Sequence, residues 1–119
     1  MPFLILKHML KQSKSLDSVF VALADPTRRA MIERLSRGPA SVSELAKPLK
    51  MSLPGVVQHL RLLEQSGIVV SRKVGRVRTC RIDPGRLDVA QAWLEKQRRF
   101  WEERFDRLDA FLLKGEAKK

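Results

Sequence analysis

The stretch of sequence that decides the fold runs from Ser41 to Gly67 and reads SVSELAKPLKMSLPGVVQHLRLLEQSG. Ser41 is followed three residues later by Glu44, the capping-box pattern that begins a helix. Ser52 precedes a Leu-Pro pair, so its side-chain oxygen can cap a second helix whose first turn is fixed by Pro. Gly67 can adopt the positive φ that ends a helix. The stretch therefore predicts two helices joined by a tight turn.

The second of these helices has two distinct sides. Val56, Leu60 and Leu63 recur at i, i+4 and i+7, which predicts an apolar stripe that faces a core. Another side of the helix must face either water or a partner, and it carries Pro54, Val57, Gln58 and Arg61.

The charge of the chain is strongly positive. It has 24 Lys and Arg against 13 Asp and Glu, a formal net charge of +11. Between Arg28 and Arg81 there are twelve basic residues and three acidic ones, so the excess surrounds the two-helix unit. A charge of this size favours a polyanionic partner, nucleic acid first and an anionic membrane second.

The residues before the two-helix unit predict two further helices. Residues 16–24 (LDSVFVALA) indicate a short apolar helix in which Val19, Phe20 and Leu23 share a face. Asp25-Pro26 then begins another helix that ends near Arg37. For residues 1–15 we expect either a short helix or a loose, disordered basic arm.

A basic hairpin follows the two-helix unit. Residues 68–82 (IVVSRKVGRVRTCRI) are rich in β-branched side chains, with Gly75 in the middle, which predicts two antiparallel strands. Such a hairpin directly after a candidate recognition helix is the "wing" of a winged helix. Its basic side chains are Arg72, Lys73, Arg76, Arg78 and Arg81.

A long last helix is predicted after the turn Asp83-Pro84-Gly85. Residues 86–113 contain no Gly or Pro, a length of about 42 Å as a helix. Apolar residues recur every seven positions, at Leu87, Leu94, Trp101 and Leu108. A single small domain cannot cover this stripe, so part of it should pack on another chain. The predicted organisation is an arm (1–15), one DNA-binding and dimerisation domain (16–113) and a basic tail (114–119).

Several classes of function are disfavoured. The one cysteine, Cys80, excludes an internal disulfide, and no apolar run reaches the length of a membrane span, so we expect a cytoplasmic protein. Paired carboxylates, a Ser/His/Asp set and a phosphate loop are all missing, which argues against an enzyme.

The string ALADPTRRAMIERL, followed by the two-helix unit and the hairpin, resembles the ArsR/SmtB family of winged helix-turn-helix transcriptional regulators. The resemblance covers about residues 16–82. It implies a mostly α fold with a small β-hairpin and a long C-terminal dimerisation helix, and a homodimer that represses a nearby promoter through an inverted-repeat operator in double-stranded DNA.

The resemblance also assigns residues. Positions that face DNA or its backbone correspond to Ser52, Pro54, Gln58, His59 and Arg61. Phosphate contacts are expected from the basic residues of the hairpin and from two flanking arginines: Arg72, Lys73, Arg76 and Arg78, with Arg28 and Arg29. The first and last helices would form the dimer interface, with Val19, Phe20, Leu23, Leu94, Trp101, Phe105, Leu108 and Leu112.

Three features depart from the family pattern. The family often has Ala or Thr at position 55 and Ser at position 57, whereas this chain has Gly55 and Val57. The side chain of Val57 cannot hydrogen-bond but could contact a thymine methyl. The Cys-x-Cys pair of the metal sensors is missing from SELAKPLK, and the last helix has no His. Cys80, His8 and His59 do not have the spacing of a ligand set, so we expect no metal and no cofactor.

Alternatives remain at this stage. The long aromatic helix could make the chain a protein-interaction module. Cys80 on a wing strand is expected to be a small packing residue; if it points outward instead, Arg78 and Arg81 could lower its thiolate pKa and make it a redox switch. A MarR-type architecture is the runner-up among DNA-binding folds, although the chain is short for it. A small-molecule inducer is a further expectation that the sequence does not specify.

Overall fold

The chain folds into a helical body with a small sheet and a projecting last helix. The computed structural model describes the backbone of residues 2–117 and the side chains of residues 3–6 and 15–115. The elements are α1 (Pro2–Leu23), α2 (Pro26–Leu35), β1 (Ala40–Ser41), α3 (Val42–Ala46), a 3-10 turn (Lys47–Leu49), α4 (Leu53–Gln65), β2 (Val69–Val74), β3 (Val77–Ile82) and α5 (Pro84–Ala117). This arrangement confirms the predicted class: a mostly α winged helix-turn-helix with a β-hairpin and a long C-terminal helix.

The first helix is longer than the sequence indicated. One helix of 22 residues, Pro2–Leu23, replaces the separate arm (1–15) and short helix (16–24) that were predicted. No Gly or Pro interrupts residues 3–23, so nothing stops the helix from extending toward the N-terminus. The run of apolar residues at the start lacks helical periodicity, which is why the pattern did not reveal it.

The core lies where α1, α2, α3 and α4 meet the sheet. The predicted stripe of α4 is confirmed, because Val56, Leu60 and Leu63 are each at most 1% exposed. Facing these residues are Met31 and Leu35 of α2, which are also buried. The recognition-helix candidate α4 is therefore fixed to the body along one side, and its other side is left outside.

The sheet contains one strand that the sequence did not reveal. Its order is β1-β3-β2, and Ala40 of the two-residue strand β1 pairs with Cys80 of β3. Two residues are too short to show an alternating pattern. The predicted hairpin is confirmed: β2 and β3 pair antiparallel from Val69↔Ile82 to Val74↔Val77. Gly75 has φ 63°, which suits the first position of a two-residue hairpin loop.

The last helix extends far beyond the body. It begins at Pro84, two residues earlier than predicted, and continues to Ala117, so residues 114–117 of the predicted tail are helical. The Asp83-Pro84-Gly85 segment starts this helix, with Asp83 Oδ1 accepting a hydrogen bond from Gly85 N at 3.1 Å. The radius of gyration is 20.9 Å, whereas about 13 Å is typical of a compact chain of this length. A 34-residue helix is about 51 Å long. Among the described side chains, those of α5 that pack on the body lie in its first turns, at Leu87, Ala90 and Trp93.

Candidate nucleic-acid interface

Both helices of the two-helix unit begin with the predicted caps. The Ser41 hydroxyl accepts a hydrogen bond from Glu44 N and donates one to Glu44 Oε1, each at 3.2 Å. Ser52 Oγ accepts from Gly55 N at 3.3 Å, at the start of α4. Between the helices, Lys50 has φ 51°, a left-handed conformation that makes the turn tight. These local bonds fix where α4 begins and how it leaves the body.

The outward side of α4 carries the predicted set of side chains. Pro54, Val57, Gln58 and Arg61 line one shallow depression on the helix. Gln58 and Arg61 are exposed, whereas Val57 is partly buried. An amide and a guanidinium side by side on a free helix face are groups that can hydrogen-bond base edges in a major groove. The structure brings these four predicted residues together.

The wing lies beside α4 and presents its cations to solvent. Arg72, Lys73 and Arg76 are exposed. The register places Arg72 and Lys73 on opposite faces of the hairpin, because successive residues of a strand point to opposite sides. The wing can therefore present basic groups along both of its faces and at its tip.

Arg78 is held differently from the other wing cations. Its Nε donates a hydrogen bond to Ser71 Oγ at 3.0 Å, and its Nη2 lies 3.9 Å from Glu64 Oε1 of α4. The predicted phosphate contact of Arg78 therefore competes with an internal partner.

Arg28 and Arg29 have a role that the sequence did not reveal. Arg28 donates through Nε to Ala22 O and through Nη2 to Val21 O, both at 2.9 Å. Arg29 Nη1 donates to Leu23 O at 2.7 Å. These bonds satisfy the last carbonyl groups of α1, which have no partner within the helix. Their geometry favours helix capping, and their predicted phosphate contacts stay a prediction.

His59 lies at the joint between α1, α2 and α4. Its Nδ1 is 3.3 Å from Arg28 Nη1 and 3.8 Å from Asp25 Oδ2, and the ring is partly buried. The Arg28 backbone N–H donates to the Asp25 carboxylate at 3.0 Å and, with the charges of His59 and Arg28, lowers the pKa of Asp25. This placement supports a structural role for His59 beside the DNA-facing surface.

Two lysines near α4 were missed as candidate DNA contacts. Lys47 and Lys50 are exposed and flank the turn between the helices. In helix-turn-helix proteins the helix that precedes the recognition helix crosses the DNA backbone. The charge count between Arg28 and Arg81 included both lysines, but only the turn geometry shows that they lie next to the N-terminus of α4.

The predicted dimer residues divide into two groups. Trp101 and Leu108 are 54% and 51% exposed, and Leu94, Phe105 and Leu112 are similarly exposed, so α5 offers an apolar stripe. The other group lies on α1. Phe20 packs edge-on against Trp93 with ring centroids 5.8 Å apart, and Leu23 packs against the core. Val19 is wrong as an interface residue, because it is fully buried within its own chain.

Cys80 does not have the environment of a redox switch. Its side chain is fully buried in the core, and it points inward from β3. Burial raises the pKa of the Cys80 thiol, the negative charge of Glu64 raises it further, and Arg78 only partly opposes them. A lowered pKa was expected only for a thiol that points outward; Cys80 points inward, so desolvation has the larger effect and the expectation of a small packing residue is confirmed.

Within the part of the chain that the structure describes, no three His, Cys, Asp or Glu side chains converge as the ligands of a metal ion would. The side chain of His8 lies outside this set. Across the same part of the chain, no helix combines the length and the apolar character that crossing a membrane requires.

The capped helix pair, the outward side of α4 and the basic wing define a winged helix-turn-helix regulator of transcription. A family profile described as a helix-turn-helix domain matches residues 23–72. The HTH-type transcriptional regulator Rv2034 of Mycobacterium tuberculosis is 43% identical over 88 residues, which cover 74% of this chain and 79% of that protein.

Solved structures agree with this class. A crystal structure of an ArsR family transcriptional regulator is 52% identical, with a TM-score of 0.73, and the match covers 76% of this chain and 93% of that one. The solution structure of the homodimeric winged helix-turn-helix domain of Mb0332 from Mycobacterium bovis is 26% identical, with a TM-score of 0.57, covering 82% and 85%. The chain belongs to the ArsR family of transcriptional regulators.

Proposed function

We propose that this ArsR-family regulator is a repressor that binds an inverted-repeat operator in double-stranded DNA as a homodimer. The observation that carries this proposal is the exposed side of α4, with Pro54, Val57, Gln58 and Arg61 next to the basic wing. A dimer that covers a promoter would keep RNA polymerase from binding, which is why we propose repression. We place this activity in the cytoplasm.

Base recognition is assigned to three side chains of α4. Gln58 can make a bidentate pair with adenine, and Arg61 can make one with guanine. Val57, partly buried beside them, offers its methyl groups to thymine. A Cβ at Gly55 would lie 3.2 Å from both Met51 Cε and Ser52 Oγ, so the glycine leaves room for the cap at the start of α4.

Affinity for the DNA backbone is assigned to the exposed cations around α4. Arg72, Lys73 and Arg76 of the wing lie on one side of the helix, and Lys47 and Lys50 lie at its N-terminal end. Each phosphate that these residues neutralise releases counterions, so binding should weaken steeply as salt is added.

The homodimer is supported by the apolar surface of α5. About half or more of the surface is exposed at each of four large apolar residues of α5: Trp101, Phe105, Leu108 and Leu112. Such exposure is costly for an isolated chain in water. A second copy of α5 offers the same stripe, and two-fold symmetry makes such a surface self-complementary. The homodimeric Mb0332 domain has the same fold.

We propose no metal or cofactor in this mechanism. A small apolar inducer bound between the terminal helices of the dimer would fit the aromatic lining of α5. The exposed aromatic stripe also favours a second candidate, a protein-interaction module, which would bind DNA only non-specifically.

Binding of the protein to the promoter region upstream of its own gene distinguishes the two candidate functions, an operator-binding repressor and a protein-interaction module. We expect Gln58→Ala to lose preference for the operator over an unrelated duplex by about ten-fold or more, because it removes a base contact. Arg76→Ala should weaken binding to both duplexes alike and flatten the salt dependence. Fluorescence anisotropy at several salt concentrations measures both effects. Equal binding of the wild-type chain to both duplexes would contradict the proposal and favour the interaction module.

A further inference from the structure

Two basic side chains form a cross-strand pair on the face of the wing that faces α4. The register pairs Lys73 with Arg78, so both side chains lie on the same face as Ser71 and Cys80. Cys80 is fully buried, which identifies this face as the inner one. Like charges directly opposite each other destabilise a strand pair unless a third group neutralises one of them.

Glu64 of α4 supplies that third group. Ser71 donates its hydroxyl hydrogen to Glu64 Oε1 across 2.5 Å and accepts a hydrogen bond from Arg78 Nε at 3.0 Å. Arg78 Nη2 is 3.9 Å from the same carboxylate oxygen. The hydroxyl of Ser71 thus bridges the carboxylate of α4 and the guanidinium of β3, and all three elements meet at one point.

The burial of these groups makes the bridge more than a surface ion pair. The side chain of Glu64 is 24% exposed, whereas that of Arg78 is 51% exposed. A glutamate whose side chain is three-quarters buried needs hydrogen bonds to its carboxylate, because a buried charge without partners is costly. Lys73 lies nearer to the hairpin tip on the same face, and it stays exposed.

We infer that Glu64 is a positioning residue that sets the angle of the wing against the recognition helix through Ser71 and Arg78. On this face of the wing Lys73 contacts a phosphate of the DNA, whereas the guanidinium of Arg78 stays bound to Ser71 and Glu64. The inference rests on the proposed DNA binding, and it replaces the prediction that Arg78 is a phosphate contact.

Four variants separate positioning from phosphate contact by their affinity and salt dependence. We expect Glu64→Gln, Ser71→Ala and Arg78→Gln each to weaken operator binding by about three- to ten-fold per protomer, the range of one lost hydrogen bond, and so by about 10- to 100-fold per dimer. Ser71→Ala changes no charge, so its effect cannot arise from attraction to phosphate. Lys73→Gln should lower the slope of log K against log salt by about 1.8 per dimer, one phosphate for each protomer.

The direction in which Glu64→Gln changes operator affinity shows whether Glu64 positions the wing or only repels the DNA through its charge. If Glu64 positions the wing, removing its charge weakens binding, and the Glu64→Gln/Arg78→Gln double variant is no weaker than either single one. The inference is overturned if Glu64→Gln tightens binding and Arg78→Gln lowers the slope as much as Lys73→Gln does. Thr79→Ala, which removes a hydroxyl from the outer face of the wing, is the matched control and should leave affinity unchanged.

A second measurement without DNA separates this inference from the proposed function. Hydrogen exchange of the β2 and β3 amides should accelerate to the same extent in the Glu64→Gln, Ser71→Ala and Arg78→Gln variants, and not in Lys73→Gln. Unchanged exchange in the first three would overturn the bridge even if the operator is bound. Faster exchange in a chain that binds no operator would keep the bridge and reject the proposed function.

Discussion

The α4–wing region and the distal half of α5 are both exposed, but their surfaces differ in kind. The apolar stripe of α4 (Val56, Leu60 and Leu63) is buried, and the outward side carries Gln58, Arg61 and the wing cations. From Arg98 to Gly115 every residue of α5 is exposed, and large apolar side chains make up a continuous stripe. A basic, hydrogen-bonding surface fits a polyanion, whereas an apolar stripe fits another apolar stripe. The difference supports the two partners that we propose for this chain: DNA for the first region and a second copy for the other.

The polar side of α5 sharpens this comparison. Arg98 pairs with Glu95 at 2.7 Å, and Arg99 lies 3.7 Å from the same carboxylate. These pairs raise the pKa of Arg98 and lower that of Glu95, chiefly through the hydrogen bond between them. Cations that are paired along their own helix are less available to phosphates than the wing cations are. Charge alone therefore does not locate the DNA surface.

The largest expected effect comes from placing a charge in the apolar stripe. Trp101→Asp should convert the dimer to a monomer and weaken operator binding by roughly 100-fold or more, because one protomer holds only one half-site. Sedimentation velocity and anisotropy measure the two effects. The matched control is Lys96→Asp, which places the same carboxylate on the polar side of α5 and should leave the dimer intact. A Trp101→Asp variant that remains dimeric would contradict the division between the two surfaces.

A smaller effect is expected at the joint between α1 and α4. The pKa of Asp25 is below its ordinary value of 3.8, so its charged form stabilises the folded chain at neutral pH, and this contribution is lost as the pH falls through the lowered pKa. Asp25→Asn keeps a capping side chain but removes the charge. Its melting temperature should be lower than that of the wild type at pH 7; the gap should begin to narrow near pH 3.8 and close once the pH is below the lowered pKa of Asp25. A gap of the same size at both pH values would show that the charge is not responsible.

No effect on DNA binding is expected from Cys80. Because its thiol is buried and its pKa is raised, the folded chain should react with iodoacetamide at neutral pH far more slowly than the unfolded chain does. Mild oxidation should leave operator binding unchanged, and Cys80→Ser should behave in the same way. Loss of binding on oxidation that is absent in Cys80→Ser would restore the redox alternative.

The sequence predicted best those features that depend on neighbours along the chain. Ser41, Ser52 and Asp25 cap helices because each oxygen reaches an N–H three residues ahead. The stripe of Val56, Leu60 and Leu63 follows from helical periodicity. Strand β1 was missed, because two residues show no period.

Side-chain partners that are distant in sequence could not be predicted. Arg28 lies 31 positions from His59, and Arg78 lies 14 positions from Glu64, so a count of charges does not reveal which cations are already engaged. Val19 was misassigned because α1 has apolar residues on more than one side. Its burial depends on where α2 and α4 pack, and the pattern of α1 alone does not determine that.

The central claim is that a dimer presents two copies of α4 to the DNA. Its most direct test is a hydroxyl-radical footprint of the purified protein on the DNA upstream of its own gene. We expect two protected half-sites related by a dyad, with centres about one helical turn apart, because the two copies of α4 are held by one dimer. Protection should fade as salt is raised, in keeping with the wing contacts. A single asymmetric site, or uniform protection without a boundary, would contradict the account.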